Sequence, residues 1–396
     1  MKVGIVSCYF QHNYGSMLQA YATQKVIDKM GIENETINIS GFNGEIKKAK
    51  IQYFIKASLT SDILLSKIGM AKSVIIKKFS ISEYAEKTHL RAENFDAFEK
   101  KWFRLSKVYT SKKELTEQCE DYYSTVLVGS DQLWLPGNIA ADYFTLNFVP
   151  KEVNSIAYAT SFGQSDLPQD STAKAKIFLE KIRHIGVREE SGQKLIEQLT
   201  ERKVPIVCDP TLLFTGDEWL GIQQEESIMK EPYIFCYFLG NNPPHREFAK
   251  RLKEATSCKI VALTHLDEYV KCDDFYADET PYDIDPADFL NLIRNAAYVC
   301  TDSFHCTVFS MLYKRKFFTF RRYKRKTRSS TNSRLDTLFH LSGVSGQIFA
   351  GDEDIKQCLQ IKIDYETVHR NLAVIRAQSY EYLSAALKDE EDTDLD

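Results

Sequence analysis

No uninterrupted apolar run in this 396-residue sequence approaches the ~20 residues needed to span a bilayer. Met1-Lys2 leads straight into a strand-like segment, without the apolar stretch of a secretory signal. Cysteines number nine, an odd and dispersed set with no Cys-x-x-Cys pair, which argues for reduced thiols and a cytoplasmic setting. Cys8, Cys208, Cys236 and Cys300 lie in apolar runs, where a free thiol behaves as a small hydrophobe. There is no G-x-G-x-x-G or Walker loop, and no His/Asp/Glu cluster has clear metal-ligand spacing. A net charge of -4 supplies no whole-protein field for nucleic acid.

What is present suits a large soluble α/β protein. Hydrophobic residues make up 43% of the chain, enough for two cores, and the length predicts two domains of about 150–200 residues. Lys2 to Tyr9 reads as a buried strand, Met17 to Met30 as an amphipathic helix stopped by Gly31, and Glu35 to Ile39 as the next strand. The turn Asn13-Tyr14-Gly15-Ser16 sets small residues at a helix N-terminus, which suits an anion; the plainer reading is an ordinary turn capped by Ser16. Phe42 to Leu105 is helical in character, with Lys56, Lys67, Lys72, Lys77 and Lys78 among its apolar positions. That pattern fits peripheral contact with an anionic membrane, or the solvated face of an inserted helical pair.

Further strands are expected at Asp121 to Leu127, Ser155 to Ser161, Ile182 to Gly186 and Val204 to Cys208. The first delivers Ser130 and Asp131 and then Trp134, a polar and aromatic group fit for a sugar ring. Arg188 stands at a strand end before a helix, placed either to grip a carboxylate or phosphate or to pair with Glu189 or Glu190. From Gly216 to Glu231 the chain turns polar, and a second βαβ series follows: strands at Tyr233 to Leu239, Lys259 to Thr264 and Phe317 to Phe320, with a helix at Pro286 to Asn295. Tyr298 to Leu312 reads as strand, polar loop and apolar helix. Asp302, Ser303 and His305 lie at its mouth, where strand ends usually face a ligand crevice. Lys314 to Arg328 is strongly basic and Lys388 to Asp396 acidic; Glu366 to Leu387 is a closing helix.

The ordered pieces Asn13-Tyr14-Gly15-Ser16, Gly129-Ser130-Asp131-Gln132-Leu133-Trp134, Val187-Arg188-Glu189-Glu190-Ser191, Asp209-Pro210-Thr211-Leu212-Leu213, Thr301-Asp302-Ser303-Phe304-His305 and Asn332-Ser333-Arg334 resemble the polysaccharide pyruvyl transferase family. The resemblance implies two doubly wound, Rossmann-like domains facing across a cleft, as in GT-B enzymes. On that plan residues 1–220 form an N-terminal α/β domain on the acceptor side, with a helical insertion at about 42–105. Residues 221–350 form a C-terminal domain on the donor side, and 351–396 a helix packing back on the junction plus the acidic tail.

It also implies transfer of pyruvate from phosphoenolpyruvate, a co-substrate needing no cofactor or metal, to a sugar or lipid-linked saccharide of a surface polysaccharide. The setting would be the cytoplasm, at the inner face of the membrane. His305 is then the acid or base and Arg188 the anion clamp. Asn13, Tyr14, Gly15, Ser16, Ser130, Asp131, Trp134, Asp302, Ser303, Arg321, Arg322 and Lys324 would line the substrate site. Better-known members carry arginine two residues before the histidine and glycine just after it, where this chain has Ser303 and Cys306. Two other readings stand beside this one: a GT-B glycosyltransferase using a nucleotide sugar, and a sugar-binding scaffold whose site has decayed. The basic run with its interleaved aromatics also fits RNA or anionic lipid, but nucleic acid is the weaker expectation.

Overall fold

A computed structural model describes residues 2–58, 82–265, 270–322 and 333–389. The strands are β1 Lys2–Val6, β2 Glu33–Asn38, β3 Leu105–Val108, β4 Thr125–Val128, β5 Asn154–Thr160, β6 His184–Val187, β7 Tyr233–Tyr237, β8 Lys259–Leu263, β9 Tyr298–Thr301, β10 Lys316–Phe320 and β11 Ile348–Phe349. They form two wholly parallel sheets, in the orders β3-β2-β1-β4-β5-β6 and β11-β10-β9-β7-β8. Parallel sheets carry helices on both faces, so their strands read as continuous apolar runs. Thr125-Val-Leu-Val and Tyr233-Ile-Phe-Cys-Tyr are buried at every position.

Several boundaries differ from the sequence reading, each for a local reason. The first helix spans Tyr14–Lys29 and is capped by Asn13, whose side chain accepts from Ser16 N at 3.1 Å. Tyr14, Gly15 and Ser16 are therefore its first turn, and Ser16 is not the cap. Asp121 and Tyr122 end a helix, Lys112–Tyr122, before β4 begins. Val204 to Cys208 is no strand. It makes one bridge, Val187 to Ile206, because Pro205 has no N–H to extend the ladder. Leu105–Val108 is a strand that closes the helical stretch, which contains Asn43–Ser58 and Ser82–Trp102. Lys67, Lys72, Lys77 and Lys78 lie outside the described residues, as does most of the acidic tail.

Each sheet reverses its winding direction once: between β1 and β4 in the first, and between β7 and β9 in the second. Crevices form at such points, outside the carboxyl ends of the strands. One hydrophobic cluster runs through both sheets, from Val3, Ile5 and Leu127 to Phe235, Val299 and Phe317. The junction is also tied by hydrogen bonds. Tyr14 donates to Ile284 O at 3.0 Å, and Arg91, on helix Ser82–Trp102, donates to Thr264 O and Pro281 O at 3.1 and 2.8 Å. The last helix, Tyr365–Leu387, reaches both halves: Asn154 donates to Ala386 O at 2.8 Å, and the His369 Nε2 lies 3.0 Å from Met311 O. No helix among the described residues is long and apolar enough to cross a membrane.

Candidate active site

His305 is the second residue of helix Phe304–Leu312, which follows β9 and is capped by Ser303. Its Nε2 lies 3.4 Å from Asp209 Oδ2, off the line of a full hydrogen bond. Asp209 belongs to the first half of the chain and opens a short 3₁₀ turn, Pro210–Leu213, accepting from Thr211 N at 3.0 Å and Thr211 Oγ1 at 2.7 Å. The pair thus joins the two halves. Across the ring is the first turn of helix Tyr14–Lys29. A Cβ placed on Gly15 would stand 2.1 Å from His305 Nδ1. Only glycine leaves room for the imidazole there.

Gly15→Ala should therefore displace the ring rather than weaken the helix, since alanine is the better helix former by about 1 kcal/mol. Overpacking of this kind costs about 1–3 kcal/mol. The expected result is a lowered melting temperature with shifted His305 ring resonances. Unchanged resonances would show that the ring is not held against this turn.

Around Asp209 lies a buried charge network. Arg188 Nη1 donates to Asp209 Oδ2 at 2.7 Å and to Ser130 Oγ at 3.2 Å, and Ser130 Oγ donates to the same carboxylate at 2.7 Å. Asp131 and Glu189 stand 3.9 and 3.8 Å from the Arg188 guanidinium. Asp131 is held by Ser16 Oγ at 2.7 Å and Glu189 by Ser161 Oγ at 2.6 Å. Asp131 has a φ of 89°, a conformation costly for a residue with a side chain. Burial alone would raise the carboxyls of Asp209 and Asp131. His305 and Arg188 beside Asp209, and Arg188 with His305 beside Asp131, hold both below the usual carboxylate range. Glu189 goes the other way: burial lifts its carboxyl despite Arg188.

Phe304 carries a guanidinium at each side of this network, Arg188 at 4.6 Å and Arg334 at 5.7 Å from its centroid. Burial and the nearby Arg188 push Arg334 down to about 10.

The other expected site residues divide clearly. Asp302 accepts from Leu239 N at 2.6 Å and Gly240 N at 3.0 Å, stitching the ends of β7 and β9 together, with Arg322 Nε 3.8 Å away. Asn13 and Ser303 spend their side chains as helix caps. Tyr14 is buried, its ring stacked on Phe289 at 4.6 Å. Arg321 forms a two-point pair with Asp336 at 2.6 and 3.1 Å. Lys324 lies outside the described residues.

Two expectations need correction. Trp134 offers no face to a sugar: it is fully buried between Phe162 and Phe178, and its indole N–H donates to Phe144 O at 3.0 Å. Arg188 is no open clamp at the rim, because it is buried among three carboxylates. Cys306 is a packed thiol, pushed up by burial. Asp209, Glu189, Ser161, Phe304 and Arg334 join the cluster without having been singled out as site residues. For Asp209 the signals were its place in the Asp209-Pro210-Thr211-Leu212-Leu213 piece and a cap-forming Asp before Pro.

The profile of the polysaccharide pyruvyl transferase family matches residues 13–323, a span that begins at the Asn13 cap and takes in both Asp209 and His305. The chain belongs to the polysaccharide pyruvyl transferase family. This family member also resembles solved structures across nearly its whole length. UDP-GlcNAc 2-epimerase from Neisseria meningitidis, bound to UDP-GlcNAc, is 13% identical with a TM-score of 0.54, over 98% of this chain and 100% of that one. A UDP-N-acetylglucosamine 2-epimerase from Listeria monocytogenes, so described provisionally, is 11% identical with a TM-score of 0.55, over 99% of each chain. At such identities the likeness is one of fold, the two-sheet GT-B arrangement. No curated protein sequence matches this pyruvyl transferase family member.

Proposed function

We propose that this protein transfers the pyruvyl group of phosphoenolpyruvate to two hydroxyls of a saccharide destined for a surface polysaccharide, in the cytoplasm, with His305 as the proton-handling group. The observation that carries this reading is the contact of His305 with Asp209 across the junction of the halves, with Gly15 clearing the ring's other side. A buried carboxylate beside an imidazole helps set the ring's orientation, and a positioned imidazole is the commonest acid and base near neutral pH.

In the reaction, C3 of the enol gains a proton and C2 gains positive character. One sugar hydroxyl adds to C2 and loses its proton. The second hydroxyl then replaces phosphate and its proton passes to the departing group, so two C–O bonds form, the bond from C2 to the phosphate oxygen breaks, and inorganic phosphate leaves as hydrogen phosphate. The donor brings a carboxylate and a phosphate, which need cations and N–H groups. Ser303 stands where better-known members carry arginine. Arg334, packed on the next residue, Phe304, provides a guanidinium in the same neighbourhood and would take over that part. Arg322 and the N-terminal turn of helix Tyr14–Lys29 would complete the donor site. A lipid-linked saccharide would bring the acceptor to the inner face of the membrane.

Ligand-induced melting shifts separate this from the nucleotide-sugar reading. A ligand at a hundred times its Kd stabilises by about 2.7 kcal/mol, enough to read as a rise of a few degrees. Phosphoenolpyruvate is expected to give that rise and UDP to give none. Stabilisation by UDP alone would overturn the proposal.

A further inference from the structure

Left-handed backbone gathers at the carboxyl ends of β4 and β5, where Asp131, Ala159 and Gly163 have φ of 89°, 54° and 68°. Ala159 lies at a register shift of β5 against β6, an irregularity of the kind that re-aims side chains beside active sites. The two strand ends are stitched together. Ser161 N donates to Asp131 O at 3.0 Å, Trp134 N to Ser161 O at 3.1 Å, and Asp131 bridges to Thr160. Backbone strain persists only where its surroundings enforce it, and it clusters at ligand sites. This frame is continuous with the charge network, since Ser16 Oγ holds Asp131 at 2.7 Å and Ser161 Oγ holds Glu189 at 2.6 Å.

Gln132 is the next residue of this frame, and its backbone is fixed on both sides. Its N–H donates to Asp131 Oδ1 at 2.8 Å, and its carbonyl accepts from Asn138 Nδ2 at 3.1 Å. The side chain is half-buried, with its amide nitrogen shut in against Gly163, where an added Cβ would stand 2.6 Å from Nε2. That nitrogen has no hydrogen-bond partner among the described residues. A buried N–H left unpaired is destabilising, and turning this one outward breaks no hydrogen bond of its own. Trp134, two residues on, is committed to the core, so the amide is the group this turn can offer a sugar. A carboxamide sets a donor and an acceptor side by side, and two neighbouring hydroxyls present the matching pair. Ketal formation requires such a diol.

We propose that Gln132 is an acceptor-binding residue, whose amide turns from Gly163 into the crevice and hydrogen-bonds the sugar diol that receives the pyruvyl group. The role rests on the pyruvyl-transfer reading, but the binding it claims is measurable without turnover.

Saturation-transfer NMR on the full chain, without phosphoenolpyruvate, tests this with methyl β-glucoside, methyl β-galactoside and methyl β-mannoside presented separately. These differ in the orientation of single hydroxyls, so a side chain that reads a diol should favour one of them. Gln132→Met keeps the length and flexibility of the side chain but lacks the amide. It should weaken binding of the favoured glycoside about tenfold, the usual effect of losing one or two hydrogen bonds. It should also raise the melting temperature of the ligand-free protein by about 1–3 °C, because no unpaired N–H is left beside Gly163. The melting shift given by phosphoenolpyruvate should be unchanged. The proposal falls if no glycoside responds, if all three respond equally, or if methionine leaves the favoured one as strongly bound as before. It falls equally if methionine fails to raise the melting temperature, which would make the amide structural. Loss in the variant of a phosphoenolpyruvate shift that the unaltered protein shows would make Gln132 a donor ligand and overturn it too. Absence of that shift in the unaltered protein strikes the donor reading alone, while the glycosides and the ligand-free melting temperature decide Gln132.

Discussion

His305→Ala is expected to lower pyruvyl transfer by about 10²–10⁴-fold, the usual worth of a positioned acid or base. The fold should survive, because Asp209 keeps Arg188, Ser130 and Thr211 as partners when the imidazole is gone. The loss should fall on kcat, with KM for phosphoenolpyruvate changed by no more than a few-fold. A drop confined to KM would make His305 a donor ligand instead, and an active His305→Ala enzyme would remove it from the chemistry. His305→Gln sharpens the distinction, since an amide keeps hydrogen bonding but cannot shuttle a proton. If glutamine restores turnover, His305 is positioning the substrate. If it restores only phosphoenolpyruvate binding, measured as a melting shift, the acid/base assignment stands.

How much of this was legible in the chain depends on the range of the interactions involved. Parallel strands advertise themselves, because a strand buried on both faces is largely apolar, as Thr125–Val128 and Tyr233–Tyr237 are. A two-residue strand such as Ile348–Phe349 has no such signature. His305 was legible as a histidine at a strand-to-helix turn, whereas its partner was not. Asp209 acquires its role from Arg188, Ser130 and His305, residues scattered along the chain and gathered only by the pairing of the two halves. Trp134 failed in the opposite direction. An aromatic ring beside a polar turn looks the same in sequence whether it faces a ligand or the core. Here Phe178, from helix Gln169–Lys181, settles the matter by covering it. The substitution at Ser303 was visible, but a guanidinium arriving beside Phe304 from helix Ser333–Ser342 was not.

The largest stability effect is predicted for Arg188→Met. Arg188 is the common neighbour of Asp209, Asp131 and Glu189, and removing one partner of a buried ion pair costs about 3–5 kcal/mol. Methionine keeps an apolar stem against Phe304, so lost charge rather than lost volume should dominate.

The pH dependence gives the charge account its own test. The carboxyls of Asp209 and Asp131 are depressed in the fold, so the stability they contribute is present above the unfolded aspartate value of 3.8 and is lost as pH falls through their folded values. Without Arg188 those folded values rise, and acid unfolding should begin at higher pH than in the unaltered protein. Glu189 already sits above its unfolded value of 4.5, so its preference for the protonated fold is lost as pH rises. Taking away Arg188 lifts it further and deepens the deficit near neutrality. Urea unfolding of both proteins between pH 4 and 8 should thus show the variant less stable throughout and displaced toward mild acid. A uniform loss with no change in the shape of the pH profile would mean that Arg188 acts by packing on Phe304 rather than by holding three buried carboxylates.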